Sequence, residues 1–81
     1  MKTLFFSIET YRTSQAFGPG ESAYQFKAEA KKAALKNLND STVTKLALSA
    51  CLFDKSTRTR YYTNAVHAST ATEVKDFFKN N

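Results

Sequence analysis

TVTKLALSACLFDKSTRTRYYTNAV, residues 42–66, reads as two strands joined by a short turn. Leu46, Leu48, Ala50 and Leu52 alternate with Lys45, Ala47, Ser49, Cys51 and Phe53. A period of two gives a strand one apolar face, turned to a core, and one outer face. Asp54-Lys55-Ser56-Thr57 supplies a polar turn, and Arg58 to Val66 returns as the partner strand. On that return, Tyr61, Thr63 and Ala65 alternate against Arg58, Arg60, Tyr62 and Asn64. The hairpin therefore gathers guanidinium groups and rings around its tip.

The flanking segments complete the architecture. Thr3 to Tyr11 alternates again, with Leu4, Phe6 and Ile8 on one face and Phe5, Ser7, Glu9 and Tyr11 on the other. Arg12 to Glu21 contains Gly18-Pro19-Gly20 and reads as a hinge or contact loop, with Phe17 as its one large apolar residue. Ser22 and Gln25 match a capping box, so a helix is expected from Ala23 to Leu38, rich in Ala, Lys, Glu and Leu. Its buried side would hold Ala23, Phe26, Ala30, Ala33, Ala34 and Leu38. Lys31, Lys32 and Lys36 form a second basic patch on the same segment. Thr70 to Glu73 repeats the capping pattern, and Val74, Phe77 and Phe78 follow at i, i+3 and i+4 on a closing helix.

The expected fold is α+β: a single β-α-β-β-α domain over residues 1–81, with a three-stranded sheet and two helices on one face. The first strand, helix and second strand form a right-handed crossover, and two strand orders are open: the second strand neighbours the first directly, or the return strand inserts between them as a split unit, the order preferred here. The other sheet face stays open. By alternation it collects Phe5, Ser7, Glu9, Tyr11, Lys45, Ser49, Cys51, Phe53, Arg58, Arg60, Tyr62 and Asn64.

Charge and composition narrow the partners. The 81 residues carry a net charge of +5, which favours polyanionic or acidic partners. With 14% aromatic residues the chain can build a core, which excludes a disordered segment. Cys51 is the single cysteine, so no internal disulfide and no cysteine zinc cluster is expected, and a reducing cytoplasm fits. The apolar run from Leu4 breaks at Ser7 and ends at Glu9, too short for a secretory leader. No stretch approaches a membrane-spanning length, so no membrane partner is expected.

Catalytic groups are scattered. His67 is the single histidine and follows a strand end. Cys51 has no basic neighbour in sequence to activate it. Glu9, Glu21, Glu29, Asp40, Asp54, Glu73 and Asp76 form no close pair for acid–base or metal work, and Gly18-Pro19-Gly20 lacks the ending of a phosphate loop. The reading is no catalytic residue, no cofactor and no metal.

Two resemblances bear on function. The split β-α-β-β-α order, with Leu4-Phe5-Phe6-Ser7-Ile8 on its first strand, resembles the front of RNA-recognition-motif domains. Arg58-Thr59-Arg60-Tyr61-Tyr62-Thr63 departs from that family by lacking its third-strand glycines, so no residue role is carried over. In general character (small, basic, one Ala/Lys-rich helix and a hairpin), the chain also resembles accessory proteins of phages and mobile elements, including anti-CRISPR proteins. That resemblance implies an inhibitor occupying a site on a larger nucleic-acid-handling complex.

The expectation is a non-catalytic binding protein. Its partner-binding residues are Lys45, Phe53, Lys55, Arg58, Arg60, Tyr61 and Tyr62, with Lys31, Lys32 and Lys36 as the secondary patch. The partner is an acidic or nucleic-acid-binding protein complex. The alternative is direct binding of single-stranded nucleic acid on the open sheet face, with Lys45, Arg58 and Arg60 on phosphates and Tyr62 or Phe53 stacking. The chain is a monomer, or a homodimer through Phe5, Tyr11 and Phe53.

Overall fold

The computed structural model describes residues 2–13 and 19–81. Its elements run β1 (Lys2–Arg12), β2 (Gly20–Tyr24), α1 (Lys27–Leu38), β3 (Val43–Asp54), β4 (Thr59–Tyr62), β5 (Val66–Ala68) and α2 (Ala71–Asn80). All strands pair antiparallel in one sheet of order β2-β1-β3-β4, with β5 also on β3. The chain is α+β, but the three-stranded sheet is overturned: the described residues form five strands.

Two local events make the difference. First, Gly20–Tyr24 is a strand and not the entry to a helix. It pairs with β1 from Phe6↔Tyr24 to Thr10↔Gly20. Ser22 and Gln25 therefore cap nothing; α1 begins at Lys27, and Phe26 at its N-cap position offers no side-chain bond. Phe26 is 61% exposed, and Ala23 lies on the open sheet face beside Ser7 instead of on a helix. Second, the return strand breaks. The Thr63 N–H donates to the Ala50 carbonyl at 2.9 Å, and the Ala50 N–H donates to Thr63 Oγ1 at 2.9 Å. The Thr63 side chain thus fills a rung of the ladder, and the chain resumes pairing only at Val66.

The crossover exists but has other members. β2 and β3 lie on either side of β1, run parallel to each other, and are joined by α1. The inserted strand is β1, where the preferred order inserts the return strand; β1 and β3 are direct neighbours, as in the other order, but antiparallel. β4 and β5 instead share the outer edge of β3. Of the predicted hinge loop, Phe17 and Gly18 lie outside the described residues.

The core lies between the inner sheet face and the two helices. Phe6, Ile8, Leu46, Leu48 and Ala50 meet Ala30 and Ala34 of α1, Ala68 of β5, and Val74, Phe77 and Phe78 of α2. Ala30 and Ala34 carry only methyl groups, so α1 can lie close to the strands. α2 inserts its rings: Phe78 meets Phe6 edge-on at 5.6 Å and Phe77 at 5.0 Å. Burying a side chain of this size contributes roughly 1.5–3 kcal/mol. Thr70 caps α2 by accepting the Glu73 N–H at 3.2 Å, and the Glu73 carboxylate accepts the Ser69 N–H at 3.2 Å. No described helix is long and apolar enough to cross a membrane.

Candidate functional site

Strand length creates the site. β3 has 12 residues and β1 has 11, against 12 in α1 and 10 in α2. At about 3.4 Å per strand residue and about 1.5 Å per helix residue, β3 runs about 41 Å while the helices run about 18 and 15 Å. Two helices of that length cannot cover such a sheet. The end carrying the β3–β4 turn is left bare on the helix side as well. There Leu4, Leu52 and Tyr61 sit in one row across β1, β3 and β4. Leu4 is 46% and Tyr61 54% exposed, with Leu52 half-buried. The alternation assigned Leu4 and Leu52 to the core; the helix ends before reaching them.

The turn at this end is tied by Asp54. Its Oδ1 accepts the Ser56 hydroxyl at 2.7 Å and the Ser56 N–H at 3.1 Å, an Asx-type arrangement. The Ser56 hydroxyl, with backbone N–H groups and nearby Lys2 in support, holds the Asp54 carboxyl below the usual carboxylate range. Arg58 closes the turn in the left-handed region, at φ 56°. It precedes β4, so it is a turn residue and not the first residue of a strand face.

Phe53, Lys55, Arg58 and Arg60 line one open recess of about 550 Å³ at this tip. Phe53 and Arg60 are cross-strand neighbours, and the Arg60 guanidinium lies 5.6 Å from the Phe53 ring centroid. Among the described residues, none of the three cations is in an ion pair; the surface pair present is Arg12–Asp40, at 2.6 Å. Four of the seven predicted partner-binding residues are thus brought together.

The other three are dispersed. Tyr62 shares the open face, opposite Cys51 and two residues beyond Arg60. Tyr61 points to the helix side, opposite Leu52. Lys45 is eight residues along β3 from Phe53, about 27 Å away at strand rise. Its Nζ lies 4.8 Å from the Tyr11 ring centroid. Lys31, Lys32 and Lys36 belong to α1, on the layer behind the sheet; Lys31 is half-buried, and Lys32 and Lys36 are exposed.

The open face is not a flat platform of free rings. Tyr11 stacks on His67 at 6.4 Å, one from β1 and one from β5, with buried Ala47 on the strand between. Cys51 is fully buried, with Phe5 and Tyr62 as its cross-strand neighbours. Large side chains from the flanking strands thus accompany small ones on β3. The β2–β1 half of the face is acidic. Glu9 and Glu21 sit directly opposite each other, Glu9 accepting the Tyr11 hydroxyl at 3.2 Å and Glu21 the Ser7 hydroxyl at 3.3 Å. The bond to Glu9 raises the Tyr11 pKa above its ordinary value. The sequence reading placed Glu9 on this face but had Glu21 in a loop, so the acidic pair was missed. No described cluster of His, Cys, Asp or Glu could hold a metal ion. No protein-family model, curated protein or solved structure matches the chain.

Proposed function

We propose that this chain is a non-catalytic docking protein whose hairpin end binds an acidic surface on a nucleic-acid-handling protein complex. The observation that carries the reading is the recess of Phe53, Lys55, Arg58 and Arg60, three cations without a described acidic partner. The bare apolar row on the other side of the same end, Leu4, Leu52 and Tyr61, supports a partner that grips both faces. Arg and Tyr are the residue types that dominate interface hot spots. A chain of this size would act by occupying the partner's site, the inhibitor mode that its resemblance to anti-CRISPR-like accessory proteins implies.

Direct binding of single-stranded nucleic acid draws less support. A strand laid across the open face would meet Glu9 and Glu21, and Tyr11 is already engaged by His67 and Lys45. The test pairs two measurements. Charge reversal at Arg58 and Arg60 is expected to abolish capture of the partner complex with unchanged far-UV dichroism. Fluorescence anisotropy against short single- and double-stranded DNA and RNA at about 0.15 M salt is expected to show no saturable sub-micromolar binding. Saturable binding there would replace the docking reading with the nucleic-acid one.

A further inference from the structure

We infer that the free edge of β4 accepts an extended acidic segment of the partner protein as an added antiparallel or parallel strand. The inference rests on the docking reading and specifies how the partner is held.

Three observations converge on this edge. β4 pairs with β3 on one side, and no described strand lies on its other side. The Thr63 N–H points at β3, where it bonds the Ala50 carbonyl. Backbone groups alternate along a strand, so Tyr61 also pairs inward while the N–H and C=O of Arg60 and Tyr62 face outward. The residues with free backbone groups are therefore the same two whose side chains lie on the open face, beside Phe53 and Cys51. An incoming strand would receive main-chain bonds from Arg60 and Tyr62, and every second side chain of it would lie next to the Arg60 guanidinium and the recess. Main-chain bonding supplies affinity in such additions, and alternate side-chain positions supply specificity.

Charge selects the occupant. Lys55, Arg58 and Arg60 flank this edge, and Asp54, cross-strand from Thr59, is bound to Ser56. Pairing of β4 with β4 of a second copy would place Arg60 near its own equivalent, and like charges across strands oppose such pairing. A strand bearing carboxylates at alternate positions meets no such penalty. The competing occupant is β2 of a second copy, the opposite edge of the sheet. It offers a single carboxylate, Glu21, already accepting the Ser7 hydroxyl at 3.3 Å. That head-to-tail contact would also fail to close and would build open chains of molecules.

The test uses an acetylated octapeptide alternating Glu with Thr and Val, with a Lys-for-Glu peptide as control, monitored by NMR amide exchange on the whole chain. In the acidic peptide, the Arg60 and Tyr62 amides should exchange at least about tenfold more slowly, with Tyr61 unchanged. The Lys peptide should leave all three unchanged. Absence of protection at millimolar acidic peptide overturns the inference, as does equal protection by the Lys peptide. Protection that rises with protein concentration alone, with sedimentation showing assembly, replaces the peptide by a second copy. A Tyr62→Pro variant removes one outward N–H and leaves every cation in place, with Tyr62→Ala controlling for the lost ring. Partner capture should fall about tenfold in Tyr62→Pro relative to Tyr62→Ala, about the loss of one backbone bond. If capture survives Tyr62→Pro but fails on charge reversal at Arg58 and Arg60, the docking reading stands and strand addition is wrong.

Discussion

Arg58 holds a positive φ of 56° at the mouth of the recess, a conformation that glycine adopts freely and a long side chain resists. For a residue with a Cβ the left-handed region costs roughly 1–2 kcal/mol. An arginine retained there is explained by what its guanidinium does, beside Lys55 and Arg60, more than by what its backbone prefers. Arg58→Gly should therefore leave the melting temperature unchanged or raise it, while weakening partner capture. A variant that loses both together would make Arg58 a folding residue. Asp40 shows the opposite case, a charged group spent on structure. It braces the loop between α1 and β3 and ties it to β1, accepting the Thr42 N–H at 2.9 Å, the Arg12 guanidinium at 2.6 Å and the Thr42 hydroxyl at 2.7 Å. The Thr42 N–H first, then Arg12 and the Thr42 hydroxyl, lower its pKa from 3.8 to about 2. A carboxyl depressed on folding contributes stability above its unfolded pKa and loses it as pH falls through the folded one. The stability difference between the natural chain and Asp40→Asn should hold steady above about pH 5, shrink below 3.8, and be gone beneath about 2. Thermal melts across that range check it.

At the scale of elements, the two capping patterns make a controlled comparison. Thr70 and Glu73 close a real cap on α2, and Thr70→Ala should cost about 1 kcal/mol. Ser22 has the same sequence signature but sits mid-strand in β2, so Ser22→Ala should change stability by less than about 0.5 kcal/mol. Urea denaturation of both variants reads the difference. The signature failed at Ser22 because the five residues of β2, with no run of apolar alternation, make a strand only when a longer strand, β1, is there to pair with them. That pairing is non-local information, absent from a window of four residues. The closing helix was legible for the complementary reason. Val74, Phe77 and Phe78 announce their common burial through spacing alone, and all three are buried. The break in the return strand, between β4 and β5, was illegible because Thr63 substitutes its hydroxyl for a backbone group, and threonine is otherwise a good strand residue.

At the scale of the molecule, position along the sheet outweighs residue type. Leu4 and Leu48 both lie on the inner face, but Leu48 is under the helices and Leu4 is beyond them. Leu48→Ala should cost about 2–5 kcal/mol, and Leu4→Ala less than about 1 kcal/mol. Equal costs would mean that the bare end is covered in solution. The bare end was legible only in part: the predicted helix, Ala23 to Leu38, spans about 24 Å against about 41 Å for β3, and the shortfall widens because Gly20–Tyr24 is a strand and α1 begins only at Lys27. The clustering of Phe53, Lys55, Arg58 and Arg60 was legible from the hairpin. The distance of Lys45 was not, because alternation assigns a residue to a face and says nothing of its position along a strand this long.

The partnership of β1 with β3 has a consequence for how quickly the chain reaches this state. Its rungs run from Arg12↔Val43 to Lys2↔Asp54, joining residues dozens of positions apart. Contacts so distant require a large loop to close before any of them forms, and folding slows accordingly, into the millisecond-to-second range for sheet-dominated domains. The β3–β4 hairpin is local and can form in about 1–10 μs, so it is expected to precede the step that limits the rate. During synthesis β1 emerges well before β3. Until Asp54 has left the ribosome, the apolar side chains of Phe6 and Ile8 wait beside an unfilled edge, and in that interval the young chain is most exposed to aggregation.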